Sequence, residues 1–270
     1  MNILRFLLGE GELICNFSQI LFVCFSARDR HDIVEPVIYH LKNYGIDIWY
    51  DRYVLLLGDN RIEKNINEGA GKCGYVMPIL SKHTADSKCA MEEISVIESR
   101  YYRGEVTVFP VLYEISPNDL SAKLRWITSL IFKEVDRQSG TRAICNHVAC
   151  KITGGFVEKC EYKSIEDIVN ANISSLPSVV NTLLLSYYRV ESANHNSRIT
   201  LLYATYLTIV QSRPMQSSYI VSMVHKIFER LFSETLLNLT IDYRDLWLLE
   251  NAICILIDSY LNQQSEIAIT

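Results

Sequence analysis

The stretch QILFVCFS, residues 19–26, decides the fold class of this chain. An uninterrupted apolar run from Ile20 to Phe25 ends in the polar residue Ser26. A run of this length predicts a strand that is buried on both faces of a parallel sheet. The next segment, residues 32–44, has apolar residues at helical spacing, and Gly45 suits the C-terminal cap of that helix. The chain therefore opens with a strand followed by a helix.

The alternation of strands and helices continues to residue 151. Further strands are predicted at residues 46–50, 75–80, 106–112 and 129–135, and further helices at residues 61–67, 89–102 and 141–151. Alternating elements with short loops predict an α/β fold, a flavodoxin-like doubly wound parallel sheet of five strands. Ligands of such sheets sit outside the carboxyl ends of the strands. The loops at residues 26–31, 51–60 and 81–88 are therefore expected to form a site.

The C-terminal half of the chain has a different pattern, with no strand predicted beyond residue 164. Ser164-Ile-Glu-Asp167 resembles a capping box that opens a helix. Helical spacing follows, and it predicts an all-α bundle with helices at residues 179–190, 197–211, 217–239 and 243–262. The expected organisation is an N-terminal arm (1–18), an α/β domain (19–153), a linker (154–163) and a helical domain (164–270).

Composition excludes several classes of function. The net charge of −5 and the lack of a long basic run argue against binding of nucleic acid. The eight cysteines form no C-x-x-C pair, so no metal site is predicted and a reducing, cytoplasmic compartment is favoured. No apolar run approaches the ~20 residues that a membrane helix needs. No glycine-rich nucleotide fingerprint opens a helix, which argues against a dehydrogenase.

Four segments of the N-terminal half resemble the Toll/interleukin-1 receptor (TIR) domain family, most closely its prokaryotic NAD-cleaving members. The first is FVCFS at 22–26, and the second is GIDIWYD at 45–51 with Gly58, Asp59 and Ile62 after it. The third runs from Leu80-Ser81 to SKCAME at 87–92, and the fourth is VFPVL at 108–112. They occur in the family's order, and the resemblance covers roughly residues 19–151. The helical domain carries no such resemblance.

The resemblance implies cleavage of NAD⁺ to nicotinamide and an ADP-ribose product, with NAD⁺ as the substrate and no cofactor. The family's essential glutamate lies four positions after a residue that is often tryptophan. In this chain Lys88 takes the tryptophan position and Glu92 the glutamate position. Glu93 is the neighbouring competitor, and the spacing from Cys89 favours Glu92.

The chemistry suits a single carboxylate. Nicotinamide in NAD⁺ is already a cationic leaving group, so its departure needs no general acid, unlike that of an ordinary glycoside. A carboxylate near the ribose can stabilise the oxocarbenium character that develops there. Other expected contacts with the dinucleotide are rings that stack, polar groups, and Lys88 on the nicotinamide side. Phe25 and Tyr53 are the candidate rings, and Ser26, Asp51 and the backbone at Gly58 are the polar candidates.

The expected function is that of an NAD⁺ glycohydrolase or ADP-ribosyl cyclase in bacterial anti-phage immunity. Such an enzyme depletes NAD⁺ or makes a nucleotide that a separate effector binds. Family members resemble one another in building the active site between adjacent TIR domains, so self-association is expected, with the helical domain organising assembly or sensing a trigger. One alternative is a non-enzymatic TIR scaffold, and another is an effector that interferes with host TIR signalling. Product, trigger and oligomeric state stay open.

Overall fold

The computed structural model describes residues 19–171, 174–212 and 243–267, together with residues 222, 224–226, 228 and 229. The described residues divide into two compact units. The first contains residues 19–42 and 46–146, and the second contains residues 43–45 and those from 147 onward. The arm predicted at residues 1–18, and most of the helix predicted at residues 217–239, lie outside the described residues.

The first unit contains a sheet whose paired strands are all parallel. Its strands are β1 (Leu21–Phe25), β2 (Ile48–Trp49), β3 (Tyr75–Leu80), β4 (Thr107–Val108), β5 (Val111–Tyr113) and β6 (Lys133–Val135). The strand order is β2-β1-β3-β5-β6, and β4 also pairs with β3.

β4 and β5 are two parts of one interrupted strand along the same edge of β3. Val108 of β4 pairs with Val76, and Val111 of β5 pairs with Ile79. Between them lies Pro110, which has no N–H to donate to a ladder of hydrogen bonds. Residues 106–112 were predicted as a single strand. When β4 and β5 are counted together, the order is that of flavodoxin-like sheets, which confirms the predicted five-stranded fold.

Helices connect these strands. A π-helical turn (Arg30–Val34) leads into α1 (Glu35–Asn43), and later helices are α2 (Asp51–Val54), a π-helix (Ile62–Ala70), α3 (Lys88–Tyr102) and α4 (Arg142–Val157). Short 3-10 helices are Ala27–Asp29, Pro117–Asp119 and Ala122–Ser129. α2 lies inside the segment predicted as a loop at residues 51–60. The fifth strand begins at Lys133 rather than at residue 129, because Ser129 still belongs to a 3-10 helix.

The linker predicted at residues 154–163 is helical over its first part. α4 continues through Gly154 and Gly155 to Val157. Glycine lowers helix stability by about 1 kcal/mol relative to alanine, but it does not forbid a helix that other contacts support. The domain boundaries at residues 153 and 164 stay a prediction.

β1 is buried on both faces, as its apolar run predicts. Phe22 and Cys24 belong to a core cluster with Trp49, Leu80 and Ile94. Leu21 and Val23 are buried as well, and they point to the opposite face because successive side chains of a strand alternate. The strand is therefore covered by helices on both sides and ends, at Phe25, on a polar edge.

Every regular element in the described part of the second unit is a helix. After α4 it contains α5 (Ile165–Ala171), α6 (Ser178–Arg189), α7 (His195–Ser212) and α8 (Tyr243–Ile267). α6 packs against α7, and α7 packs against α8. Glu250 of α8 accepts hydrogen bonds from Arg198 of α7, at 2.6 Å, and from the hydroxyl of Tyr187 of α6. This arrangement confirms the predicted helical bundle. Of the helices in the described ranges, none is both long enough and apolar enough to cross a bilayer.

Candidate active site

The helix that carries Glu92 starts at the carboxyl edge of the sheet. β3 ends at Leu80, a short loop follows, and Ser87 caps α3 by accepting a hydrogen bond from the backbone N–H of Ala90 at 3.4 Å. Glu92 is the fifth residue of α3, and its side chain is 36% exposed. The described geometry therefore places this carboxylate where ligands of doubly wound sheets are found.

Arg61 holds the carboxylate of Glu92. Its Nη2 donates to Glu92 Oε2 at 2.5 Å, and this bond is the largest cause of the raised pKa of Arg61. Nζ of Lys88 lies 4.0 Å from the other oxygen, Oε1, and the Lys88 side chain is 89% exposed. The second terminal nitrogen of Arg61, Nη1, is buried and has no hydrogen-bond partner among the described residues. Arg61 thus holds one oxygen of Glu92, while the other oxygen faces the exposed ammonium group of Lys88.

Glu93 points in the opposite direction, into the protein, and is 5% exposed. Its Oε1 accepts from Nδ2 of Asn65 at 2.5 Å, and Oδ1 of Asn65 accepts from Nε1 of Trp49 at 3.3 Å. Burial raises the pKa of Glu93 to about 7, against the opposing effects of Cys24, Asn65 and the charge of Arg61. Of the two adjacent glutamates, only Glu92 is accessible to a ligand at the sheet edge.

Arg30 organises a second polar cluster, and no role was predicted for it. It binds both oxygens of Asp51, at 2.7 and 2.6 Å, and donates to the hydroxyl of Tyr50 at 2.8 Å. Its guanidinium also lies over the ring of Phe25, 4.9 Å from the centroid. The hydrogen bonds to Asp51 raise the pKa of Arg30. Tyr53 joins the cluster, because its ring packs edge-on against Tyr50 at 5.0 Å.

The structure therefore sorts the predicted site residues into two groups and two single positions. Phe25, Asp51 and Tyr53 gather around Arg30 and Tyr50, while Lys88 and Glu92 gather around Arg61. Ser26 is buried behind the edge, and its carbonyl accepts from the N–H of Asp29 at 2.9 Å. Gly58 lies in the loop after α2 with a φ of 96°, a conformation that favours glycine. Neither Ser26 nor Gly58 has a described side-chain or ring contact with either group.

The two groups are electrostatically connected. The negative charge of Asp51 raises the pKa of Glu93, and the positive charge of Arg61 lowers it. Charges from both groups thus act on the same buried carboxyl. The residues that sequence reasoning missed are Arg30, Arg61 and Asn65. Arg61 is 31 positions from Glu92, and no local pattern links residues so far apart.

The first unit is thus an α/β fold with a half-exposed carboxylate at its strand ends. Residues 21–141 match the TIR domain family, and the chain accordingly contains a TIR domain. The match ends before the helical unit, so α5 to α8 have no assigned family.

Curated relatives are similar to part of this chain. The "NAD(+) hydrolase TcpA" of Theionarchaea archaeon is 25% identical over 113 residues, which is 42% of this chain and 34% of that protein. The "2' cyclic ADP-D-ribose synthase AbTIR" of Acinetobacter baumannii is 26% identical over 100 residues, 37% of each protein. The "Probable 2' cyclic ADP-D-ribose synthase TcpO" of Methanobrevibacter olleyae is 31% identical over 37% of this chain and 29% of that protein. The similarity thus spans about a third of the length of these relatives.

Among solved structures, the chain is similar to the TIR domains in the "Structure of the activated Roq1 resistosome directly recognizing the pathogen effector XopQ". The TM-score is 0.35 at 23% identity, and the similarity covers 48% of this chain and 69% of that chain.

Proposed function

We propose that this chain is an NAD⁺-cleaving TIR enzyme and that Glu92 is its catalytic carboxylate. The observation that carries the proposal is the half-exposed Glu92 at the sheet edge, with Oε2 bound to Arg61 at 2.5 Å. Relatives of the same domain are named as NAD⁺ hydrolases and as 2' cyclic ADP-ribose synthases, which supports this chemistry. NAD⁺ is the substrate in this proposal.

The reaction breaks the bond between the nicotinamide nitrogen and the anomeric carbon of the ribose. The electron pair of that bond stays with nicotinamide, which leaves as a neutral molecule. Positive charge develops on the ribose, and the carboxylate of Glu92 stabilises it. Water, or a hydroxyl of the substrate itself in a cyclising reaction, then forms the new bond to the anomeric carbon and releases its proton to solvent. Because Arg61 holds Oε2, the other oxygen of Glu92 is the one that faces the ribose.

In this proposal, the residues gathered around Arg30 and around Arg61 bind the dinucleotide. Tyr53, which is 54% exposed, offers a ring that a base can stack on, and Phe25 packs against the neighbouring ring of Tyr50. Lys88 is assigned to the nicotinamide side. Asp51 acts through Arg30, since both of its oxygens bind that guanidinium, and Ser26 and Gly58 shape the backbone of the edge.

The direct test is release of nicotinamide from NAD⁺ by the purified full chain, measured by chromatography. We expect Glu92→Ala to lower the rate by about 100-fold or more, the usual loss when a charge-stabilising group is removed. Glu98→Ala is the matched control, because Glu98 lies on the same helix and is also half-buried. A Glu92→Ala protein that keeps wild-type turnover would exclude this site assignment.

We propose further that this cleavage serves anti-phage immunity in the bacterial cytoplasm, through depletion of NAD⁺ or through a nucleotide that a separate effector binds. No disulfide joins cysteines within the described part of the chain, which suits a reducing compartment. Mass spectrometry of the product separates ADP-ribose from a cyclic isomer. Phage plating on cells that express wild type or Glu92→Ala tests the biological role, and equal protection by the two would exclude it.

Self-association through the TIR domain is part of the proposal. Leu56 and Leu57, which precede Gly58, are 71% and fully exposed, and we propose this apolar pair as part of the contact surface. The helical domain would organise this assembly or sense the trigger. The second candidate function is a non-enzymatic TIR scaffold, favoured by Lys88 in place of the family's aromatic. A scaffold would assemble through Leu56 and Leu57 and release no nicotinamide at any protein concentration.

A further inference from the structure

We propose that Glu93 is a positioning residue for Glu92: through Asn65 it holds the π-helix at the place where Arg61 reaches the catalytic carboxylate. The inference rests on the proposed function, in which Glu92 acts on NAD⁺. It assigns a role to the buried neighbour of that residue, whose side chain faces away from the substrate.

Two hydrogen bonds connect the start of the π-helix (Ile62–Ala70) to the second turn of α3. On the outside, Arg61 donates to Glu92 at 2.5 Å, and on the inside, Asn65 donates to Glu93 at 2.5 Å. Glu92 and Glu93 are adjacent on α3, and Arg61 and Asn65 lie four positions apart. Two bonds with different anchor points fix both the distance and the rotation of one helix against the other. The position of Arg61 therefore depends on the hydrogen bond between Asn65 and Glu93.

The inner bond is itself fixed to the sheet. Oδ1 of Asn65 accepts from the indole N–H of Trp49 in β2, which turns the amide N–H₂ of Asn65 toward Glu93. Trp49 is buried in the core cluster, so this end of the chain of hydrogen bonds does not move freely. Departures from α-helical geometry are frequent at functional sites. The π-helix at residues 62–70 is therefore consistent with a role in positioning the side chain of Arg61.

Fold stability alone does not account for a carboxyl group at position 93. A buried carboxyl must be desolvated, and an apolar side chain of similar volume usually serves a core better. The nearest buried positions on this face of α3, Ala90, Ile94 and Ile97, are apolar. The other buried polar residue of α3, Arg100, donates to the backbone carbonyls of Ala70 and Cys73. Burial raises the pKa of Glu93 to about 7, which reflects that penalty. Residues that break the local pattern in this way are expected at functional sites.

The test compares Glu93→Leu and Glu93→Gln with the control Glu98→Leu, on the full chain with NAD⁺. We expect Glu93→Leu to lower kcat about tenfold or more while KM changes little, because small misplacements of a catalytic group are costly. Glu93→Gln should restore most of kcat, since its side-chain carbonyl can accept from Asn65. Asn65→Ala approaches the same bond from the other helix and should lower kcat in the same way, which keeps the test decisive if Glu93→Leu does not fold.

A second readout needs no activity. The side-chain Nε–H signal of Arg61 in a ¹H–¹⁵N spectrum, assigned with Arg61→Lys, should shift in Glu93→Leu and stay in place in Glu98→Leu. A folded Glu93→Leu protein with wild-type kcat, or with an unmoved Arg61 signal, would overturn the positioning role. Absence of nicotinamide release from the wild type would instead reject the proposed function, and the Arg61 signal would still decide the role of Glu93.

Discussion

At the scale of single residues, the protein places two identical side chains in opposite environments. Glu92 and Glu93 are neighbours in sequence, yet one is half-exposed beside Arg61 and the other is buried beside Asn65. Helix geometry explains the difference. Position 93 lies on the stripe formed by Ala90, Ile94 and Ile97, at intervals of three and four residues, whereas position 92 lies off it. The same periodicity, read in the sequence, would have identified Glu93 as the buried member of the pair.

The buried Glu93 makes a prediction about pH. Its pKa is raised from 4.5 to about 7 in the folded protein. Between these values the folded state keeps a proton that the unfolded state has released, so the stabilising contribution of neutral Glu93 is lost as pH rises through 7. Glu93→Gln has no such loss. We therefore compare the free energy of unfolding of Glu93→Gln with that of wild type. The difference, variant minus wild type, should grow from pH 5 to pH 8 by a few kcal/mol, on the order of 1.4 kcal/mol per unit of pKa shift.

Urea denaturation of both proteins at a series of pH values measures this difference directly. Subtracting the wild type at each pH removes the contributions of the other titrating groups, which the two proteins share. A difference that stays constant from pH 5 to pH 8 would mean that Glu93 titrates near its ordinary pKa, and the description of its environment would then be wrong.

At the scale of elements, the π-helix (Ile62–Ala70) is placed against the sheet by Gly69. A Cβ at this position would lie 2.7 Å from the ring of Phe22 and 2.8 Å from Nε1 of Trp49. These distances are too short for any side chain, so only glycine allows the π-helix to approach β1 and β2. The close approach also brings Asn65 within hydrogen-bonding distance of Trp49. Both the packing of the π-helix on the sheet and the hydrogen bond between Asn65 and Trp49 therefore depend on Gly69.

Gly69→Ala should therefore destabilise the protein by about 1–3 kcal/mol, the usual effect of overpacking a core. It should also lower the rate of nicotinamide release, because Trp49 and Asn65 are displaced. Gly155→Ala is the matched control: a Cβ there meets no atom within 4 Å, and alanine in a helix is favoured by about 0.5–1 kcal/mol. Thermal and urea unfolding measure both effects. Equal stability of the two variants would contradict the close approach at Gly69.

At the scale of the whole molecule, the proposed activity depends on how copies of the chain meet. Leu57→Asp should weaken self-association, because it puts a charge on the exposed apolar surface next to Gly58. Nicotinamide release should fall with it, most strongly at low protein concentration, while the unfolding temperature stays the same. Sedimentation velocity and assays over a range of protein concentrations measure these changes.

The control for this prediction is Ile131→Asp, which changes another exposed apolar residue of the TIR domain, 94% exposed. It should leave assembly and turnover unchanged. If Leu57→Asp assembles like wild type, the contact surface lies elsewhere. If it loses assembly while the wild type shows no turnover at all, the scaffold function is the better description.

The order of helices and strands in both units could be predicted from the sequence. Each kind of element buries its side chains at a characteristic spacing, and that spacing is visible in the pattern of apolar residues. The apolar run at residues 19–26 predicts a strand covered on both faces, and the helical spacing beyond residue 164 predicts a bundle, and both predictions are confirmed. Breaks within elements were less predictable. Pro110 falls in the break between β4 and β5, whereas Pro78 lies within β3 without interrupting it. Gly154 and Gly155 do not end α4 despite their low helix propensity.

The candidate site was likewise only partly predictable from the sequence. The family resemblance selects Glu92 from sequence, since the residues that carry it lie close together along the chain. The partners of Glu92 come from elsewhere: Arg61 is 31 positions away, and Asn65 is 28 positions from Glu93. Such contacts depend on the packing of α3 against the π-helix and on the missing side chain of Gly69, and no local periodicity encodes them. Local patterns thus determine which elements form and which faces are buried, while only the packed structure decides which distant side chains meet at the edge of the sheet.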